Sequence, residues 1–233
     1  VVEETRSIQI QSMGTLGGDL CHLPNCWYYR NGYGLFGTEN GESLVTEGEN
    51  RYHAILGNES AAKYVSASRF APPLIAWGAK IRIVGPETSD EQWLPLEEFY
   101  HLPQQEEDGI TQLKAGQLVT HIWIPHATSQ QSATYEVIEL EGLDYPLSGA
   151  SVVLMMSGNI IQSARICLGH VAPVPWFSQK AAEYLAGKSI CEEVASQAAD
   201  IAMELAIPLT DNDYKIQIAH TAVKRAILRS VEI

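Results

Sequence analysis

Positive charge is what this 233-residue chain has least of: 15 Lys and Arg stand against 28 Asp and Glu, a formal net charge of −13. No lysine- or arginine-rich stripe offsets that excess locally, so nucleic acid is excluded as an expected partner. Long apolar runs are missing as well. None approaches the roughly 20 residues that span a bilayer, and the charged start Val1-Val2-Glu3-Glu4-Thr5-Arg6 does not read as a secretory signal. The expectation is a cytoplasmic chain without a membrane segment. Cys21, Cys26, Cys167 and Cys191 are scattered, too sparse for a disulfide scaffold. Neither Gly-x-Gly-x-x-Gly nor a Walker sequence occurs, which argues against an independent Rossmann or P-loop unit.

What is present is enough apolar residues, 45%, to bury a substantial core in one large or two small domains. The apolar alternation from Ile8 to Gly18 predicts a short strand feeding a turn, and 31–48 reads as a glycine-rich surface loop. Pro72-Pro73 fit the first turn of a short helix, where missing N–H groups cost little. Strands are expected at 80–85 and 118–125, and a helical turn at 94–99. The polar stretch 126–132 is the expected domain seam. Beyond it, 148–156 and 159–168 form a hairpin through Ser157-Gly158, and three helices follow at 178–185, 192–205 and 213–231.

One run carries chemistry on its face. Thr15-Leu16-Gly17-Gly18-Asp19 joins a hydroxyl, two residues without Cβ and a short polar side chain, a composition that lets unpaired backbone N–H groups approach a bulky anion. Such a run on its own is most often a turn. Other candidates are weaker. Cys21, His22, Cys26 and His53 match no standard zinc spacing. The remaining histidines have no sequence partner that would make a triad or metal set.

Further motifs follow that run in order: Cys26-Trp27-Tyr28-Tyr29-Arg30, the stretch Gly48 to Gly57 containing Arg51-Tyr52-His53-Ala54, Ala71 to Lys80, Gly169 to Trp176, and Pro208 to Lys215. Together they resemble the FAD-binding subunits of molybdenum hydroxylases, the group of xanthine dehydrogenase, carbon monoxide dehydrogenase and bacterial aldehyde oxidoreductases. The resemblance covers nearly the whole chain. It implies an α+β fold: residues 1–126 as the second half of a vanillyl-alcohol-oxidase-type FAD-binding domain, and residues 133–233 as a C-terminal flavoprotein-subunit domain with an antiparallel sheet and a three-helix bundle. A first flavin subdomain with its own glycine loop would precede these.

The same resemblance implies a function. FAD would pass electrons from a molybdenum-cofactor subunit, by way of an iron–sulfur subunit, to an external acceptor, and a homodimer is compatible with it. The alternative is a flavin-free structural or assembly relative. Thr15, Gly17, Gly18 and Asp19 match the loop that grips the pyrophosphate, and Leu118 and Val119 match the segment behind the flavin ring. Three positions depart from the family pattern. Asp19 stands where asparagine is usual, Arg69 where aspartate is usual, and Glu136 where some members have lysine. Arg69 is expected either to pair with Asp19 or to reach the pyrophosphate itself. Some relatives hold a four-iron cluster on four cysteines; here only Cys21 and Cys26 stand at such positions, so no cluster is expected.

Overall fold

The computed structural model describes residues 1, 5, 7–87, 89–127, 129–139 and 144–231. Most of the charged N-terminal start thus lies outside the described residues. The chain first forms two short helices, α1 (Ile8–Met13) and α2 (Leu16–Leu20). The strand expected before the glycine run is not there. Ser7 caps α1 by accepting from the Ile10 N–H, and α1 buries none of its residues, so the alternation of Ile8 and Ile10 never marked a buried face.

A helical turn α3 (Trp27–Arg30) leads into the glycine-rich loop, which closes on a small hairpin, β1 (Thr38–Glu39) with β2 (Glu42–Ser43). The double proline occupies the first turn of α4 (Ala71–Ala76), as the missing N–H groups allow. Strand β3 (Lys80–Val84) follows, then β4 (Glu91–Pro95), the turn α5 (Leu96–Phe99) and β5 (Leu118–Trp123). They form a three-stranded antiparallel sheet in the order β4-β3-β5. Ile81 and Ile83 alternate into a core with α4, Leu20, Leu94, Leu96 and Phe99.

The second sheet is a four-stranded antiparallel meander: β6 (Gln130–Val137), β7 (Ser148–Ser157), β8 (Ile160–Gly169) and β9 (Trp176–Phe177). Gly158, at φ +60°, makes the tight turn between β7 and β8 that a side chain would strain. Three helices cover one face: α6 (Gln179–Leu185), α7 (Glu192–Ala202) and α8 (Tyr214–Arg229), the last capped by Asp213. Their alanines pack on Ala150, Val152, Leu154 and Ile166. The opposite face meets α4, and Val153 and Cys167 join the core of the first sheet. With both faces covered, β7 is buried continuously from Ser148 to Leu154, where a half-exposed strand would alternate.

Candidate functional site

The glycine run starts α2. Thr15 is its N-cap, and its Oγ1 accepts from the Gly18 N–H at 3.0 Å. Among the described residues the N–H groups of Leu16 and Gly17 have no acceptor in the chain, as the first turn of a helix requires. Neither Gly17 nor Gly18 has a positive φ, so the run needs glycine for approach and not for conformation. A Cβ on Gly17 would meet nothing within 4 Å, whereas one on Gly18 would press on Thr15 Oγ1 at 3.0 Å. Thus nothing inside the chain requires glycine at position 17. The open space at Gly17 leaves the two free amides approachable from outside.

Asp19 faces the other way. Its carboxylate accepts from the Arg69 N–H at 3.2 Å, the Phe70 N–H at 3.0 Å and the Ser68 hydroxyl, capping the entry to α4. Ser68 Oγ in turn accepts from the Ala71 N–H at 3.0 Å. The carboxylate is therefore committed to three internal donors.

Arg69 and Asp19 meet only through that backbone N–H, which corrects the expected side-chain pair. The Arg69 guanidinium instead grips Glu136 on β6 with Nε and Nη2, Nε at 3.1 Å, and gives Nη1 to Thr5 Oγ1. Both side chains are nearly buried, at 12% and 4% exposure. The two departures from the family pattern, at 69 and 136, are thus one ion pair. The sequence holds both residues but gives no sign that a separation of 67 positions is closed up by the fold.

Leu118 and Val119 begin β5, paired with Val84 and Ile83. Leu118 is exposed, and Val119 packs on the core that also receives Leu20.

Beside Asp19 a cavity of about 610 Å³ opens, lined by Cys26, Trp27, Tyr52, His53, Tyr145 and His170 among others. The His22 N–H donates to Asp19 O at 3.1 Å, and His22 Nε2 meets the Tyr145 hydroxyl at 2.9 Å. At its floor Lys215 is buried, its ammonium donating to the carbonyls of Tyr52 (3.1 Å), His53 (3.0 Å) and His170 (2.8 Å). Burial pushes Lys215 down to about 7. Burial, reinforced by that lysine, holds His53 at about 4 and His170 at about 3. Both imidazoles are neutral at pH 7. The Cys26 thiol, raised by burial, lies 3.2 Å from His53 Nε2. The cavity therefore offers shape, hydrogen bonds and one group that burial brings near neutrality, the Lys215 ammonium, which is engaged by three carbonyls. Lys215 and Tyr145 were not legible as members of this site, because only the fold carries them to it.

Cys21 packs against the core, and among the described residues no three of His, Cys, Asp and Glu gather as metal ligands. The 31–48 loop is pinned instead by Glu106, whose carboxylate accepts from the N–H groups of Leu35 and Phe36.

Residues 2–127 match the family described as FAD binding domain in molybdopterin dehydrogenase. The chain belongs to that family. Residues 133–230 of this flavoprotein relative match the CO dehydrogenase flavoprotein C-terminal domain. A carbon monoxide dehydrogenase medium chain from Afipia carboxidovorans is 25% identical over 191 residues, 80% of this chain and 64% of the relative. One from Hydrogenophaga pseudoflava is 30% identical over 122 residues, 51% of this chain and 42% of its own. Among solved structures, quinoline 2-oxidoreductase from Pseudomonas putida 86 superimposes with a TM-score of 0.67 at 22% identity, covering 97% of this chain and 64% of that one. The carbon monoxide dehydrogenase of Hydrogenophaga pseudoflava gives 0.68 at 24%, covering 96% and 63%. This chain thus spans less than two thirds of the length of these relatives.

The loop fits a flavin pyrophosphate: two free amides, open space at Gly17, and a neighbouring carboxylate turned to other donors.

Proposed function

We propose that this chain is the flavin-holding subunit of a molybdenum hydroxylase, working in the cytoplasm with a molybdenum-cofactor subunit and an iron–sulfur subunit. Bound FAD would supply the redox chemistry, between the iron–sulfur subunit and an external acceptor. Thr15, Gly17 and Gly18 hold the pyrophosphate through the helix start, where amides and dipole favour negative charge. Asp19 acts as a positioning residue, fixing the loop to the start of α4. Arg69 is proposed to act likewise, locked on Glu136, and Leu118 and Val119 to give the ring an apolar backing. The domain boundary is proposed to lie between 126 and 133.

The observation that carries this reading is Gly17, free of any internal need to be glycine. The test is FAD titration of the purified full chain, followed by visible absorption and flavin fluorescence. Wild type should take up FAD, and Gly17→Val should weaken uptake at least tenfold, since its side chain fills the approach to the amides. A colourless wild type that takes up no added FAD would overturn the proposal, as would a Gly17→Val protein that binds like wild type.

A further inference from the structure

We propose that the groove between α8 and β6 is an oxyanion site that takes a phosphate or a phosphate ester. The groove, about 490 Å³, falls within the size range of small-ligand pockets and is lined by Tyr135, Glu192, His220, Lys224, Arg225 and Arg229 among others. Its cations stand out in a chain of net charge −13. Arg51, Arg69, Arg82 and Arg165 each pair with a glutamate. Arg225 and Arg229 do not: among the described residues their recorded partner is the Tyr135 ring, with the guanidinium carbons 5.4 and 5.2 Å from its centroid.

That arrangement sets up a receptor for an anion. The two arginines sit one helical turn apart on α8, so their like charges are held on one face. Contact with a ring occupies part of each guanidinium and leaves N–H donors of both forks for a ligand. The neighbours do not cancel the excess. Glu192 is engaged by Lys224 at 2.8 Å, and Asp200 lies 3.1 Å from His220 Nε2, so both carboxylates have contacts away from the two arginines. Among the described residues the two guanidinium charges have no acidic partner. Two forks meet a tetrahedral oxyanion better than a carboxylate, because three or more oxygens can be approached from separate directions, while one fork saturates a carboxylate. Tyr135 and Glu136 are adjacent on β6 and point to opposite faces, so the ring that meets the two arginines and the carboxylate that meets Arg69 lie on either side of the strand, and Arg229 also reaches the hollow that Glu136 lines.

The test is isothermal titration of the full chain with inorganic phosphate and, separately, with glycerol 3-phosphate, at low and raised salt. Binding at about 1 mM or tighter is expected, weakening with salt. Arg225→Gln/Arg229→Gln should lose at least tenfold, while Gly17→Val binds as wild type. Both arginines are exposed, so the double variant should keep the wild-type urea midpoint. Tighter binding of the ester assigns the site to phosphorylated metabolites, and equal binding assigns it to free phosphate. The proposal fails if the double variant binds both probes like wild type, if neither probe binds wild type, or if Gly17→Val abolishes binding.

Discussion

Arg69 and Glu136 show how a residue that breaks a family pattern can be read only with its partner. Arginine in place of aspartate looks like damage to a flavin contact, and glutamate in place of lysine looks like a second injury. The two compose one buried pair whose polarity is reversed relative to the family residues. A buried pair is a poor source of net stability but a costly one to break. Arg69→Met should therefore lower stability by about 3 to 5 kcal/mol, because Glu136 is left charged and 4% exposed. The double variant Arg69→Met/Glu136→Met should regain most of that loss, and urea unfolding of wild type, the two single variants and the double completes the cycle. If the double variant is as unstable as the sum of the singles, the pair is not acting as a unit.

At the scale of elements, α2 and α4 form one device, joined by the Asp19 carboxylate across the entry to α4. Asp19→Ala strips acceptors from two N–H groups and a hydroxyl and should cost about 1 to 3 kcal/mol. Asp19→Asn keeps an oxygen in place and should cost clearly less; equal losses in thermal unfolding would sink this account of the cap. Several elements were legible beforehand for plain reasons. Pro72-Pro73 can only start a helix, the alternation at 80–84 buries Ile81 and Ile83, and Gly158 marks its own turn. Others were not. The first three residues of β6, 130–132, fall in the polar stretch 126–132 that reads as a seam, because the neighbouring strand and α8 supply the apolar surface. Helix α7 stops at Ala202, short of the expected Leu205, with Met203 as its C-cap and a turn through 203–205 before Pro208. In the site, the glycine run could be found from composition, but the cavity is gathered from six separate stretches of chain and has no local signature.

Across the whole molecule, the two sheets share their cores. Ile55 and Leu56 pack with the helices of the second sheet, and Lys215, Asn212 and Asn50 cross between the 50–54 segment and the region around 170 and 210. A single cooperative unfolding transition is the consequence. His53 and His170 lie at that junction, and both are held neutral in the native state, at about 4 and about 3, against an ordinary value of 6.5. The unfolded chain therefore binds more protons below pH 6.5. Their contribution is complete above that pH and falls away as pH drops toward 4 and then 3, by about 1.4 kcal/mol per unit for each group. Urea unfolding between pH 7.5 and 4.5 should show this decline. His170→Asn, which tolerates the backbone φ of +61°, should make the decline shallower by one proton. An unchanged slope would mean that His170 is not buried in its neutral form.

Strand β6 alternates between two tasks with no spare position between them. Tyr135 serves the α8 groove and Glu136 serves Arg69. A one-residue slip in its pairing with β7 would present a carboxylate to the arginines of α8 and a phenol to Arg69, closing one site with its own counter-ion and orphaning a cation at the other. Insertions or deletions inside 130–137 are therefore far more damaging than point changes there. Loop-length variation between β6 and β7 has to stop before it reaches the strand.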